Sequence, residues 1–149
     1  MRFSCACTRR AVLAAFAAVG AALATRAKAA PEEHREFIAA AFRMRDEAVR
    51  AGDQPFGAVV VKDGRMLGFG PSRVVLKKDA TAHAEREALR EAQARLGRTD
   101  LSGAILYSSS RPCSACEAAA AEANIARMIH GSEATDGGRP ISSTHRSRR

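Results

Sequence analysis

Two cysteines three positions apart, in Pro112-Cys113-Ser114-Ala115-Cys116, have the most chemistry to offer. The proline suits the opening of a helix. Thiols in a first helical turn sit at the positive end of the helix, which favours thiolate, the form that binds metal. Two thiolates do not complete a zinc site. His83, in Thr81-Ala82-His83-Ala84-Glu85, stands at the start of another predicted helix and supplies a third donor. A tetrahedral ion held by one imidazole and two thiolates keeps one corner for water, the mark of a catalytic zinc site. Zinc brings the pKa of such a water toward ~7. Glu85 falls on the apolar face of its helix, in register with Leu89 and Ala92. A buried carboxylate without a partner is costly, and a place beside activated water gives it work as a proton shuttle. The expected set is one Zn2+ per chain on His83, Cys113 and Cys116, with Glu85 as the catalytic acid–base.

Taken singly, the pieces have other readings. A lone His-x-Glu is usually surface chemistry, and Cys-x-x-Cys in an exported chain is often a disulfide or redox pair. A thiol–disulfide oxidoreductase using Cys113 and Cys116 is therefore the alternative from another class, though it leaves His83 and Glu85 without a role. A metal-bound but inactive binding protein is a third reading.

These residues need elements to position them. A helix is predicted over 31–51, with Phe37, Ala41, Met44 and Ala48 on one face and Gly52-Asp53-Gln54-Pro55 ending it. Ala58 to Val61 reads as a strand, Lys62-Asp63-Gly64 as a hairpin turn, and Arg65 to Gly70 as the returning strand. Residues 71–80 read as a polar connection. A second helix is expected from about Ala82 to Leu96, with Thr81 as N-cap, then a strand over 103–108, an Ala-rich helix over 113–124 and a strand over 126–130. This order of elements predicts an α/β fold with a mixed sheet, antiparallel in the hairpin and parallel across the two strand–helix–strand units. Helices entered from one sheet edge bring their first turns together, where α/β folds place ligands.

Residues 1–29 read as an export signal, with a basic start at Arg2, Arg9 and Arg10, an apolar run from Ala11 to Ala24 and small residues at Ala27 and Ala29. The run is short of the ~20 residues a membrane span needs. Thr8-Arg9-Arg10-Ala11-Val12-Leu13 resembles a twin-arginine address, so a periplasmic location is expected, with no membrane association after cleavage. The signal takes five of the 24 basic residues and none of the 16 acidic ones, which leaves a net charge of +3, much of it in Arg146, Arg148 and Arg149. A near-neutral body, no Trp and one Tyr argue against a nucleic-acid-binding surface. His34, His130 and His145 are read as structural or solvated.

The two metal segments, in this order, match the H-x-E then P-C-x-x-C pattern of zinc deaminases. With Pro55-Phe56-Gly57-Ala58-Val59-Val60-Val61 and Tyr107 to Ala119, they make residues 32–131 resemble the cytidine deaminase-like superfamily, most closely its guanine deaminase and tRNA adenosine deaminase branch. The resemblance implies a three-layer α/β/α sandwich with a mixed sheet and a zinc deaminase domain over 30–131. It implies hydrolytic loss of ammonia from a nucleobase or nucleoside, a purine such as guanine or adenosine first, by a homodimer. It also implies that Ala84 contacts the base through its backbone N–H and that Phe56 lines the pocket. Three departures stand out. Ser72 occupies the position where the branch carries a base-binding Asn. Arg111 precedes the Pro-Cys where an acidic residue is usual. Relatives continue past the fourth strand with another strand and a helix, so the expected fold is C-terminally truncated, with 132–149 a loop or disordered basic tail. The substrate expected is a small base or nucleoside. A tRNA adenosine-to-inosine deaminase is the alternative within the class, favoured if residues 1–29 are retained.

Overall fold

A computed structural model describes residues 30–142. The expected export signal and the end of the expected tail lie outside the described residues. The elements in chain order are helix α1 (Ala30–Arg50), strands β1 (Gly57–Lys62) and β2 (Arg65–Pro71), a short helix α2 (Val74–Lys77), helix α3 (Ala84–Leu96), strand β3 (Ile105–Ser108), helix α4 (Ser114–Glu122), and strands β4 (Arg127–His130) and β5 (Thr135–Gly138).

The strands form one sheet in the order β2-β1-β3-β4-β5. The β1–β2 hairpin turns through Asp63 and Gly64, both at positive φ, as the Lys62-Asp63-Gly64 pattern predicts. β1 also pairs antiparallel with β3, while β3 and β4 run parallel, with Ile105 opposite Arg127 and Tyr107 opposite Ile129. The mixed sheet is thus the one expected, antiparallel in the hairpin and parallel where a helix crosses over.

The period-2 alternation of the strands sorts two cores onto opposite faces. Val59, Val61, Tyr107 and Ile129 pack with Phe37, Ile38 and Ala40 of α1. Ala58, Val60, Leu106 and Met128 pack with Ala84, Ala88, Leu89 and Ala92 of α3 and with Ala120 of α4. The result is the three-layer α/β/α sandwich, with α3 and α4 side by side. β2 lies unusually close to α3. A Cβ on Gly68 would fall 2.0 Å from the Ala88 carbonyl oxygen, and one on Gly70 would fall 1.9 Å from that of Ala84. Only glycine fits that approach.

Three segments differ from the sequence reading. Residues 71–80 contain α2 rather than a bare polar connection. α3 begins at Ala84 with His83 as its N-cap, not Thr81. Thr81 instead takes its backbone N–H to Asp79 and accepts a hydrogen bond from Arg90. The region from 132, read as a loop, supplies β5, which pairs antiparallel with β4 through Thr135, Asp136 and Gly138. Thr-Asp-Gly-Gly has no apolar alternation to signal a strand. It is held by backbone bonding to an existing edge, and three of its four residues are exposed.

Candidate metal centre and active site

α3 and α4 start at the same end of the sheet, and their N-caps are His83 and Cys113. N-cap side chains commonly accept a bond from the first helical turn, but neither of these does. Both are free to turn toward a shared point, and Cys116, in the first turn of α4, joins them. The Nδ1 atom of His83 lies 3.5 Å from the Cys116 sulfur and 3.8 Å from the Cys113 sulfur. The three donor atoms all fall within 4.8 Å of one another. The cysteines are free thiols.

These distances test whether the site fits zinc. Zinc–sulfur bonds of about 2.3 Å and zinc–nitrogen bonds of about 2.0–2.1 Å, set at the tetrahedral angle, separate nitrogen from sulfur by about 3.6 Å. The two observed separations bracket that value. The donor set, two thiols and one imidazole, suits a borderline-soft ion. Two helix N-termini aim their positive ends at the same spot, which favours thiolate. The residues present therefore fit zinc and leave one tetrahedral position outside the protein's own ligands.

Glu85 is 6% exposed and lies in the first turn of α3. Among the described residues no Lys or Arg pairs with it. Its neighbour is Cys116, whose thiol pKa is pushed up by burial first, and then by the charge of Glu85 and the nearby Cys113. The carboxylate thus sits beside the Cys116 sulfur of the metal centre.

Glu87, two residues on, is also buried, and it shows what a structural carboxylate looks like here. It is clasped by Lys77 of α2 and by Arg90 at 2.6 Å. Burial pushes its pKa up, but those two cations more than offset it and hold the carboxyl below its ordinary range. Sequence periodicity puts Glu85, not Glu87, on the apolar face of α3, yet both are buried. The distinction lies in their neighbours.

The residues expected to touch substrate fare unevenly. Phe56 is 41% exposed at the start of β1, free to meet a ligand. Ala84 is the first residue of α3, so its N–H has no intrahelical acceptor. Ser72 is a correction. It is 1% exposed, and its hydroxyl donates to an Asp53 carboxylate oxygen at 2.9 Å. It is withdrawn into the protein rather than presented to a base. Asp53, which the sequence reading used only as a helix stop, is the hub of this corner. It accepts hydrogen bonds from Ser72 and from the N–H groups of Gln54, Val75 and Leu76. Asp53 thereby caps α2 and ties the end of α1 to the end of β2.

With this geometry in view, the comparisons are specific. Residues 31–132 match the cytidine and deoxycytidylate deaminase zinc-binding region. A guanine deaminase of Bacillus subtilis is 40% identical over 104 residues, covering 69% of this chain and 67% of the relative. A tRNA-specific adenosine deaminase of Agrobacterium fabrum is 41% identical over 95 residues, covering 62% of each. In structure, the Bacillus subtilis guanine deaminase superposes with a TM-score of 0.64 at 39% identity, covering 66% of this chain and 63% of that one. A tRNA:A34 deaminase gives 0.63 at 38%, covering 64% and 70%. The chain spans about two thirds of the length of these relatives. On the family match over most of its length, carried by a metal centre of the required composition and spacing, the chain belongs to the cytidine and deoxycytidylate deaminase zinc-binding family.

Proposed function

We propose that this chain is a zinc-dependent hydrolase that removes an exocyclic amino group from a purine-type base or nucleoside and releases ammonia. The observation that carries the reading is the convergence of His83, Cys113 and Cys116 within 4.8 Å, with the buried Glu85 against Cys116. The named relatives, a guanine deaminase and a tRNA-specific adenosine deaminase, both support an aminopurine ring.

His83, Cys113 and Cys116 would hold the ion, which when bound supplies a Lewis acid able to activate water at neutral pH. The chain's own groups do the rest. Glu85 takes a proton from the attacking water as oxygen bonds to the ring carbon that carries the amine. It hands that proton to the adjacent ring nitrogen. It then carries the second water-derived proton to the amine, and ammonia leaves as the C–N bond breaks and the ring carbonyl forms. The Ala84 N–H fixes an acceptor on the base, and Phe56 covers a ring face. Burial of Glu85 keeps bulk water from competing for the proton.

The test is ammonia release from guanine, adenine, adenosine, cytosine and cytidine by zinc-loaded protein, with Glu85→Ala as control. The reading expects zinc near one per chain in both proteins and turnover only in the parent. A metal-free Cys113–Cys116 disulfide with no deamination would sink it.

The same reading makes the chain an exported homodimer acting on small substrates. Arg9-Arg10 and the apolar run after it support export. The exposed apolar side chains of Val75 and Leu76 on α2 support a protein contact. Cell fractionation with N-terminal sequencing, and light scattering of the purified protein, check these two points. A tRNA substrate is the lesser reading. It draws on one group of relatives and predicts turnover of an anticodon stem-loop but not of free bases.

A further inference from the structure

On one face of the sheet two helices, α3 and α4, pack side by side, whereas among the described residues α1 alone packs on the other. Beside α1, toward the β4–β5 turn, lies an open groove of about 440 Å³. Ile38, Ala39, Phe42 and Asp46 of α1 and Ser132 of the turn form its wall. Arg35 and Arg43 also line it, and such side chains lay apolar stems along an occupant while their charges stay in water. Ala39 is exposed and Phe42 half-buried. Val49, 52% exposed, carries the same stripe to the last turn of the helix, since positions 39, 42, 46 and 49 share one face.

The chain itself holds a segment that matches this groove. Ala11 to Ala24, outside the described residues, is a run without a charge. Val12, Phe16, Val19 and Leu23, with Leu13 beside them, recur at the spacing of one helical face. Only residues 25–29 separate the run from Ala30, where α1 begins. A link of that length suits two antiparallel helices. At 1.5 Å per residue the run is about 21 Å long. Folded back on α1, it reaches from the start of that helix to about Met44 and so spans the groove. Phe16 then falls near Ala39, a large side chain over a small one. The residues after 142 do not compete for the place. Ser-Thr-His-Arg-Ser-Arg-Arg has no large apolar side chain, and Ile141 just before it donates its N–H to Glu117 of α4, on the opposite face of the sheet.

We propose that, before cleavage, residues 11–24 pack in this groove against Ala39 and Phe42. The folded precursor thereby covers an apolar run that would otherwise invite aggregation. Arg9 and Arg10 fall at the far end, beyond Phe42, where the address stays in water and can be read. The groove is open and partly polar, so the run can be withdrawn when export begins. The proposal builds on the export reading of residues 1–29 and stands apart from the deaminase chemistry.

Hydrogen exchange read by mass spectrometry, on the zinc-loaded and uncleaved full chain, tests the contact. The amides of 11–24 should exchange at least about tenfold more slowly in the parent than in Ala39→Glu, which puts a charge into the groove. Ala39 is exposed, so zinc content and the slow exchange of β1 and β3 should be unchanged in that variant. Ala39→Ser should keep most of the protection. Phe16→Glu, on the segment's own side, should remove it as Ala39→Glu does. Fast exchange of 11–24 in the parent overturns the proposal, and so does protection that survives both glutamate variants. Protection that appears only at concentrations where light scattering reports a dimer assigns the groove to a second copy and overturns it too. The measurement is made on purified precursor, so its outcome is distinct from whether cells export the chain.

Discussion

The thiol of Cys116 has the carboxylate of Glu85 and the thiol of Cys113 as its neighbours. As anions Glu85 and Cys113 would both repel the buried Cys116, and no Lys or Arg among the described residues pairs with Glu85 to relieve them. A divalent ion between His83 and the two sulfurs does so, which explains why three groups of this kind share one spot.

Metal removal should accordingly cost stability as well as activity. Binding of an ion to the folded chain alone stabilises it by mass action, and the free energy of binding structured thiolate sites couples to folding. A chelator that strips zinc is expected to lower the melting temperature by several degrees or more and abolish ammonia release. Stoichiometric zinc under reducing conditions should restore both. Zinc affinity should fall as pH drops, because protons compete for the two sulfurs and the imidazole. Scanning calorimetry of apo and reloaded protein reads the first effect, and competition with a chromogenic chelator at several pH values reads the second.

Glu85→Gln isolates the proton carrier. The amide is isosteric and cannot accept the water's proton, so kcat should fall by roughly 10²–10⁴, the usual contribution of a positioned acid–base. Zinc content should be retained, and the melting temperature should hold or rise, since a negative charge leaves a buried cluster. Steady-state kinetics with metal analysis on the same sample checks both. A variant that loses zinc along with activity would mean that Glu85 supports the ion rather than the proton.

Asp53 gives the acid limb of stability. Burial pushes its carboxyl pKa up, but the N–H groups of Leu76, Gln54 and Val75 and the Ser72 hydroxyl outweigh this and hold it below the usual 3.8. A carboxyl depressed in the folded state stabilises the fold above its unfolded pKa. That stability is lost as pH falls through the folded value. Asp53→Ala should cost about 2 kcal/mol near neutral pH, as expected for losing a helix cap and charge-assisted bonds. The parent–variant difference should shrink below about pH 4. Urea unfolding at pH 7 and pH 3 measures it.

How legible this arrangement is in the sequence depends on what each residue answers to. The hydrophobic faces of α1 and α3, the Asp63-Gly64 turn and the metal segments were readable because local pattern dictates them. So was the burial of Glu85, from its register with Leu89 and Ala92. The pairing of Asp53 with Ser72, 19 residues apart, was not, since no local rule links a helix-stop aspartate to a serine after the next hairpin. β5 was invisible because its residues pair through the backbone of an existing edge. The same holds for Gly68 and Gly70. As letters they punctuate a strand, and only the packed helix shows why a side chain is forbidden.

Gly70→Ala makes that reason measurable. The added Cβ would sit 1.9 Å from the Ala84 carbonyl oxygen and 2.6 Å from the Ala88 nitrogen, backbone atoms that cannot swing aside. α3 must move off the sheet, and it carries His83 at its N-cap and Glu85 in its first turn. The expected outcome is a loss of about 3 kcal/mol or more, beyond the usual cost of overpacking, with weakened zinc affinity. Gly64→Ala, with open space around its Cβ but φ at +72°, should cost about 1 kcal/mol and leave zinc binding intact. Comparing the two by denaturant unfolding and zinc titration distinguishes displacement of the helix from ordinary backbone strain.

Ser72 offers the cleanest separation of binding from structure. If its hydroxyl met the base, Ser72→Ala would raise KM and leave the fold alone. The hydroxyl is instead donated to Asp53, and its backbone N–H goes to the Phe56 carbonyl at 3.0 Å. Removing it strips one donor from a buried carboxylate that keeps three others, which costs about 1–2 kcal/mol. The melting temperature should therefore fall by several degrees, while KM and kcat stay within about twofold at a temperature where the variant is folded. Asp53→Asn with Ser72→Ala should be less damaging than the sum of the two, because the groups share one hydrogen bond. A KM effect of tenfold in Ser72→Ala, with an unchanged melting temperature, would return the residue to the substrate.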